Sequence, residues 1–233
     1  MDPISIPVIF EDENFLIINK PSGVVVHPFD NSNEETLIDH LKVSHPEIFG
    51  ITDNTFTLQN GTAVSLGGVV HKLDRETSGV MVVAKNQSTF SELKKAFLEH
   101  TTKKVYIALI EGTIEAESLR INAPLGRNKK SYKQVAFPEN SRGELREAIT
   151  DLTVVLRGNA ITLVKLEPLT GRTHQLRAHM TYIGHQIVGD KAYGSSAEAE
   201  RIMLHAQSLT FILDNRQYSF EAPLPKEFIA PFE

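Results

Sequence analysis

Short apolar runs separated by turn-forming residues recur along this chain, and that alternation is the strongest limit on how it can fold. Residues 6–10 and 15–20 are two such runs, and the polar segment EDEN between them predicts a hairpin. Further runs predict strands at residues 79–85, 104–110, 152–156 and 161–166, and MLHAQSLTFIL and YSFEAPLP predict a last pair. Strands therefore outnumber helices, and several neighbouring strands are linked as hairpins.

Helical spacing of apolar residues occurs in fewer places. A helix opening near residue 34 and ending near residue 45 has Leu37, Ile38 and Leu41 on one face. Apolar residues at positions 90, 93, 96 and 97 predict a second helix, and GRTHQLRAHMTYIGH predicts a third between two glycines. Residues 50–68 are predicted to be loop, and residues 113–147 irregular hairpins or mobile loops. The predicted fold class is α+β, with a mixed, mainly antiparallel central sheet and flanking helices and loops.

Composition excludes several kinds of site and anchor. The 233 residues include no cysteine, which rules out disulfides, thiolate nucleophiles and zinc sites built on sulfur. No apolar run approaches the roughly 20 residues that span a bilayer, and the segment MDPISIPVIF lacks the features of a signal peptide. We therefore expect a cytoplasmic protein.

The net charge of −5 by itself disfavours nucleic acid as a partner, since lysine and arginine drive phosphate binding. Binding needs only one basic face, however, and cations cluster at several points of the chain. These clusters are Lys94–Lys95, Lys103–Lys104, Arg127 with Lys129–Lys130, Lys133, and Arg142 with Arg146. Solvated side chains are the simpler explanation of any single cluster, so charge alone leaves the partner open.

The charged segment HKLDRETSG, residues 71–79, leads directly into the apolar run VMVVAK. Asp74 lies between Lys72 and Arg75 in the sequence, and nearby cations favour the ionised carboxylate. Such a carboxylate beside a core can act as a nucleophile or as a general base. The alternative is a structural loop aspartate that accepts backbone N–H bonds and caps the turn.

A second segment, GRTHQLRAH, contains two arginines. Arg172 and Arg177 suit a partly buried carboxylate or a phosphate, because a guanidinium forms bidentate hydrogen bonds. If the segment is helical throughout, Arg172, Gln175 and His179 lie near one face. His174 and His179 suggest a metal site, but their i, i+5 spacing separates them by about 140° around a helix. No carboxylate lies within the segment, so the metal hypothesis is weak.

Both segments carry a family resemblance. HKLDRETSGVMVVAKN closely resembles the motif HRLDxxTSGLLLLAK of the RluA-like pseudouridine synthases, and GRTHQLRAHM resembles their second signature, GRTHQIRVH. The likeness extends, in the family's order, to VIFEDENFLIINKPSGVVVHP, KKVYIALIEG, IVGDKAYG, MLHAQSLTF and EAPLPKEF. These segments cover almost the whole chain.

The resemblance implies a reaction and the residues that perform it. Members of the family convert uridine in RNA to its C5-linked isomer without a metal or organic cofactor. Asp74 is implied to be the essential carboxylate, either as nucleophile or as base. Tyr106 is implied to stack on the uracil, and Leu204 to line the pocket. Arg177 is implied to pair with Asp74, with Arg172 as the competitor for that role.

The resemblance also implies how RNA is held. A uridine in folded RNA leaves its stack at a cost of about a few kcal/mol. In many relatives, an arginine two residues before the catalytic aspartate is suited to fill the space that the base leaves. Here that position is Lys72, which has no planar guanidinium; His71 or Arg75 could share the role. Further RNA contacts, weakened by salt, are predicted at Arg172, Lys103, Lys104, Arg127, Lys129, Lys130 and Lys133.

We expect one catalytic domain over residues 1–233, without a separate N-terminal RNA-binding domain. It is expected to act as a monomer on a tRNA or rRNA stem-loop. An RNA-binding or folding-assistance module that has lost the chemistry is one alternative, and the presence of Asp74, Tyr106, Arg172 and Arg177 argues against it. A metal-dependent hydrolase using His174, His179 and His205 is the other alternative.

Overall fold

The computed structural model describes residues 5–28, 34–52, 54–58, 61–136 and 138–232. The chain divides into two compact units, the first formed by Met1–Thr102 with Ser208–Ala222 and the second by Lys103–Gln207 with Pro223–Glu233. Organisation as one catalytic domain over residues 1–233 stays a prediction. In the part of the chain that is described, no helix is long and apolar enough to cross a membrane.

Strands outnumber helices, as predicted. The strands are β1 Val8–Glu11, β2 Phe15–Lys20, β3 Thr55–Thr57, β4 Ala63–Ser65, β5 Ser78–Ala84, β6 Lys103–Glu111, β7 Ser118–Asn122, β8 Leu125–Asn128, β9 Gln134–Val135, β10 Ser141–Arg146, β11 Ile149–Arg157, β12 Ile161–Pro168, β13 Leu204–Leu213 and β14 Arg216–Glu221. The α-helices are α1 Leu37–Ser44, α2 Gln87–Leu98 and α3 Gln175–Tyr182. The α+β class with a mainly antiparallel sheet is confirmed.

A buried antiparallel ladder organises the first unit. β2 pairs with β1 on one side and with β5 on the other, and the register aligns Ile18 with Met81. Every residue of β5 is buried, as expected for an unbroken apolar run. α2 adds Phe90 and Leu93 to a core that includes Phe15, which confirms the predicted helical stripe.

The helix α1 begins later than predicted, because its first turn is closed by side chains. Thr36 Oγ1 accepts the N–H of Asp39, and the Asp39 carboxylate accepts the N–H and hydroxyl of Thr36. This capping box places the start of the helix at Leu37, so residues 34 and 35 lie outside it. The predicted apolar face of Leu37, Ile38 and Leu41 is buried.

The second unit contains an antiparallel sheet with strand order β6-β12-β11-β7. α3 contributes Leu176, Ala178 and Met180 to a core that also holds Ile110 and Val164. β10, β8 and β9 form a separate three-stranded sheet, which agrees with the predicted hairpins, whereas β7, in the same segment 113–147, pairs with β11. These elements provide the framework that holds the second motif, GRTHQLRAH.

The prediction of loop for residues 50–68 is wrong in part. β3 and β4 pair as a short antiparallel hairpin within this segment. All three residues of β3 are exposed. Because the hairpin depends on backbone hydrogen bonds and buries little apolar surface, the sequence has no alternating hydrophobic pattern from which it could be predicted.

Candidate active site

The segment around Asp74 is an irregular loop of the first unit that leads into β5. Gly68 lies so close to the end of β5 that a Cβ atom there would overlap the Ala84 carbonyl oxygen. A hydrogen bond of 3.1 Å from the Thr77 N–H to the Asp74 carbonyl closes a turn over residues 74–77. Leu73 is buried and Asp74 half-buried, so the loop holds Asp74 at the boundary between core and surface.

The fully buried side chain of Lys20, at the end of β2, anchors this loop through backbone atoms. Its ammonium group donates to the carbonyls of Pro21, Val24 and Arg75 at 2.8, 2.9 and 3.0 Å. Three carbonyl acceptors match the three N–H donors of a protonated lysine. The Gly23 N–H also donates to the Arg75 carbonyl, at 2.9 Å. Sequence analysis did not single out Lys20, although it ends an apolar strand in the segment INKPSG.

Replacing Lys20 by methionine is expected to destabilise the first unit. A buried carbonyl that loses its donor costs about 1–3 kcal/mol, and Pro21 and Val24 would each lose the ammonium. The midpoint of denaturant unfolding measures the effect. Lys42→Met is the matched control, because Lys42 is exposed and its pairing with Asp39 at 3.7 Å contributes at most about 1 kcal/mol. Equal destabilisation by both changes would show that Lys20 has no anchoring role.

The ring of His71 is engaged within the first unit. Its Nε2 accepts the Val82 N–H at 3.1 Å, which joins the loop to the middle of β5. The ring also stacks on Phe97, with ring centroids 4.3 Å apart. A ring nitrogen that accepts an N–H is unprotonated, so the neutral tautomer carries its proton on Nδ1. A direct contact of His71 with RNA stays a prediction.

The two cations that flank Asp74 in the sequence differ in their surroundings. The Arg75 guanidinium lies 3.1 Å from Glu34 and 3.5 Å from Glu76, so it pairs with two glutamates. Lys72 is exposed and makes no ion pair within the described residues. Glu76 is the next residue in the chain, whereas Glu34 precedes Arg75 by 41 residues, so local sequence did not predict the pair with Glu34.

In the second unit, the GRTHQ turn is held by the side chain of Gln175 at the start of α3. Its Oε1 accepts the Thr170 hydroxyl at 2.7 Å and the Arg172 N–H at 3.0 Å, and its Nε2 donates to the Ile149 carbonyl at 3.0 Å. α3 begins at Gln175, so the prediction that Arg172 shares a helical face with Gln175 and His179 is wrong. Arg172 instead donates from Nε to the Glu147 carbonyl at 3.0 Å.

The buried arginine of α3 has a carboxylate partner that sequence analysis missed. Arg177 donates from Nε and from one Nη to the two carboxylate oxygens of Asp190, at 2.7 and 2.8 Å. The side chains of Arg177 and Asp190 are 8% and 0% exposed, so this bidentate ion pair is almost completely desolvated. Asp190 lies in the segment IVGDKAYG, and this position in a quoted family segment was the available signal.

The histidines proposed as metal ligands are placed differently. Both ring nitrogens of His179 are engaged, one with the Thr150 hydroxyl and one with the Ala123 carbonyl, each at 2.9 Å. Burial lowers the pKa of His179, which favours the neutral ring. His174 Nδ1 lies 3.1 Å from the Tyr193 hydroxyl. No group of three or more metal-ligating side chains occurs in the described ranges.

The remaining predicted residues of the second unit lie on β6, on β13 and on the small sheet. Half-buried Tyr106 packs against the same core cluster that contains Leu204. Lys103 lies 3.2 Å from Glu167, and burial lowers the pKa of Lys104. Arg127 lies on β8 and Lys129 and Lys130 directly follow it, and all three are exposed. Lys129 Nζ donates to the Glu139 carbonyl at 2.9 Å.

The loop before β5 and the turn before α3 both fall within one match to a known family. The model described as RNA pseudouridylate synthase matches residues 14–182. The chain belongs to the RNA pseudouridylate synthase family. The resemblance to the RluA-like pseudouridine synthases is thereby confirmed, and the chain is an RNA pseudouridine synthase, an isomerase that acts on uridine in RNA.

Individual relatives agree with this assignment. The chain is 34% identical over 230 residues to a Bacillus subtilis protein named uncharacterized RNA pseudouridine synthase YlyB, covering 97% of this chain and 71% of the relative. It is also 34% identical over 230 residues to ribosomal large subunit pseudouridine synthase D of Borreliella burgdorferi, covering 97% and 67%. The solved structure of human RNA pseudouridylate synthase domain containing 1 superposes with a TM-score of 0.78 at 27% identity, covering 99% of this chain and 90% of that one.

Proposed function

We propose that this pseudouridine synthase modifies a structured ribosomal or transfer RNA and that Asp74 is its essential carboxylate. The observation that carries the proposal is the anchoring of the Asp74 loop by other groups. Lys20 and Gly23 donate to the Arg75 carbonyl, and the Ser22 hydroxyl donates to the Glu76 carbonyl at 2.7 Å. These contacts hold the main chain next to Asp74, and a fixed main chain gives a half-buried acid the defined position that a catalytic carboxylate requires.

The chemistry requires one ionised carboxylate and no added water. The bond between uracil N1 and ribose C1′ breaks, the uracil turns, and its C5 bonds to the same C1′. The proton lost from C5 is balanced by the proton gained at N1. Asp74 either attacks as a nucleophile or removes a proton as a base, and both routes need its negative charge. Water would trap an intermediate, so a site at the edge of a buried strand suits the reaction.

Arg177 and Tyr106 are proposed to complete the site. Asp190 accepts from Nε and one Nη of Arg177, and a guanidinium has five N–H donors, which is more than one bidentate carboxylate uses. We propose that Asp74 is a second carboxylate partner of Arg177 and that Asp190 sets the orientation of the arginine. Tyr106 is proposed to stack on the detached uracil, with Leu204 lining the pocket.

Lys72 is proposed to stabilise the RNA when the uridine leaves its stack. Its ammonium group is exposed and makes no ion pair within the described part of the chain, whereas Arg75 pairs with two glutamates and the His71 ring accepts a backbone N–H. Of the three residues considered for this role, Lys72 therefore needs the fewest contacts broken. Lysine supplies charge without a planar group, so it would contact phosphate more readily than fill the vacated space.

The large ribosomal RNA is the first substrate to test, because relatives named ribosomal large subunit pseudouridine synthase D match almost the whole chain. Transfer RNA is the second. The purified protein should be incubated with each transcribed RNA, and pseudouridine mapped by chemical adduct formation and primer stops. We expect new stops at one or a few uridines, without added metal or cofactor. An RNA that is bound but never modified would instead support a binding module that has lost the chemistry.

A further inference from the structure

The second unit contains a pocket of about 310 Å³ that lies between β9, α3 and the turn at Lys191–Tyr193. This volume is at the lower end of the range for small-molecule sites, which is roughly 300–1,000 Å³. None of the residues to which the uridine chemistry was assigned above lines the pocket. The pocket is therefore separate from the residues proposed for the uridine chemistry, and its ligand has to be inferred from its own lining.

The walls of the pocket combine an apolar surface with two ammonium groups. Ala136, Ala178 and Tyr193 contribute the apolar side, and each of them is buried in the unit's core. Lys133 and Lys191 also line it, and neither makes an ion pair with any residue that the structure describes. A flat apolar surface beside unneutralised cations matches the base and the phosphate of one nucleotide.

Tyr193 gives the pocket a fixed shape. Its hydroxyl accepts the Gln134 N–H at 2.9 Å and lies 3.1 Å from His174 Nδ1. Cations flank its ring, with the Arg177 guanidinium 4.8 Å and the Lys133 ammonium 5.8 Å from the ring centroid. A wall held by hydrogen bonds and cation–π contacts loses little conformational freedom on binding, which favours affinity.

We propose that this pocket binds one unpaired nucleotide of the RNA substrate, at a position other than the uridine that is isomerised. The base lies against the apolar side beside Tyr193, and its phosphate contacts Lys133 and Lys191. The proposal rests on RNA being the substrate of this chain. An acidic peptide would satisfy the two lysines but would leave the apolar surface without a matching planar group.

Two kinds of variant separate the base contact from the phosphate contact. Thr181→Phe fills the pocket from α3 without changing the charge, and we expect it to weaken binding of the stem-loop substrate roughly tenfold. The double change Lys133→Ala and Lys191→Ala should weaken binding similarly. It should also lower the slope of log K against log salt by about 1, because a single phosphate is contacted. Fluorescence anisotropy across a salt series measures both effects.

The matched control removes two exposed lysines from α2 of the first unit. Lys94→Ala with Lys95→Ala changes the net charge by the same amount, and we expect affinity within about twofold of the unchanged protein. An equal loss of RNA affinity in this control would show that the pocket lysines act only through general electrostatic attraction. That result would overturn the proposal. Full affinity in Thr181→Phe, or competition by a polyglutamate peptide as strong as that by RNA, would overturn it as well.

Single-turnover rates distinguish this proposal from the assignment of Asp74. The pocket variants should need a higher protein concentration to reach the half-maximal single-turnover rate, because they weaken RNA affinity. If the assignment of Asp74 is wrong, uridine will still be isomerised after Asp74 is replaced. The RNA affinities of the pocket variants, measured by anisotropy, do not depend on that result.

Discussion

Replacing Asp74 by asparagine is expected to abolish measurable pseudouridine formation, with turnover lowered by at least roughly 10²- to 10⁴-fold. Asparagine keeps the size and shape of the side chain but carries no negative charge, so it is neither a nucleophile nor a base. The loop should keep its position, because Lys20, Gly23 and Ser22 hold it through the carbonyls of residues 75 and 76. Single-turnover mapping of pseudouridine measures the rate.

Glu76→Gln is the matched control for Asp74→Asn. It makes the same acid-to-amide change two residues further along the loop, where the carboxylate lies 3.5 Å from Arg75. We expect turnover within about threefold of the unchanged protein, since a partly exposed ion pair contributes at most about 1 kcal/mol. RNA affinity should be preserved in both variants. Full activity of Asp74→Asn, or equal loss in Glu76→Gln, would remove Asp74 from the mechanism.

Replacing Asp190 by asparagine is expected to lower the free energy of unfolding by about 3–5 kcal/mol, the usual cost of removing one partner from a buried ion pair. Asp190 is fully buried and accepts two hydrogen bonds from Arg177. It also accepts the Tyr193 N–H at 3.2 Å. Because the amide supplies a donor where a second acceptor is needed, one of the two contacts with Arg177 becomes repulsive. Denaturant unfolding, with RNA absent, measures the loss.

Asp151→Asn provides a control with the same chemistry and a different environment. Asp151 receives a bidentate pair from Arg120 at 2.6 and 2.7 Å, a geometry very close to that of Asp190 with Arg177. This second pair is exposed, at 60% for Arg120 and 35% for Asp151, so its loss should cost at most about 1 kcal/mol. Similar costs for both substitutions would show that burial does not determine the contribution of the Asp190 pair.

The same Asp190 variant also bears on the active site. If Asp190 orients Arg177 for Asp74, Asp190→Asn should slow single-turnover isomerisation even at low temperature, where the variant remains folded. A variant that is destabilised but isomerises uridine at the normal rate would make the Asp190 pair purely structural. The two readouts together therefore separate a positioning role from a stabilising one.

Much of the fold and the family followed from the sequence. The unbroken apolar run of β5, the helical stripe with Phe90 and Leu93, and the apolar face of α1 are patterns among neighbouring residues. Such patterns depend on the geometry of one strand or one helix, so they can be recognised before the chain path is known. The motifs around Asp74 and Arg177 were sufficient to identify the family for the same reason, since each is a continuous stretch.

Only the tertiary structure decided which groups hold those motifs in place. The Lys20 ammonium donates to the Arg75 carbonyl although 55 residues separate the two in the sequence. Arg177 pairs with Asp190, which lies 13 residues later and beyond the end of α3. Arg75 pairs with Glu34, 41 residues earlier in the chain, as well as with its neighbour Glu76. A hydrogen bond or ion pair forms between atoms that the folded backbone brings within about 3 Å, and the chain path that does so is set by the packing of whole elements. The spacing of residues along the sequence therefore does not predict these contacts.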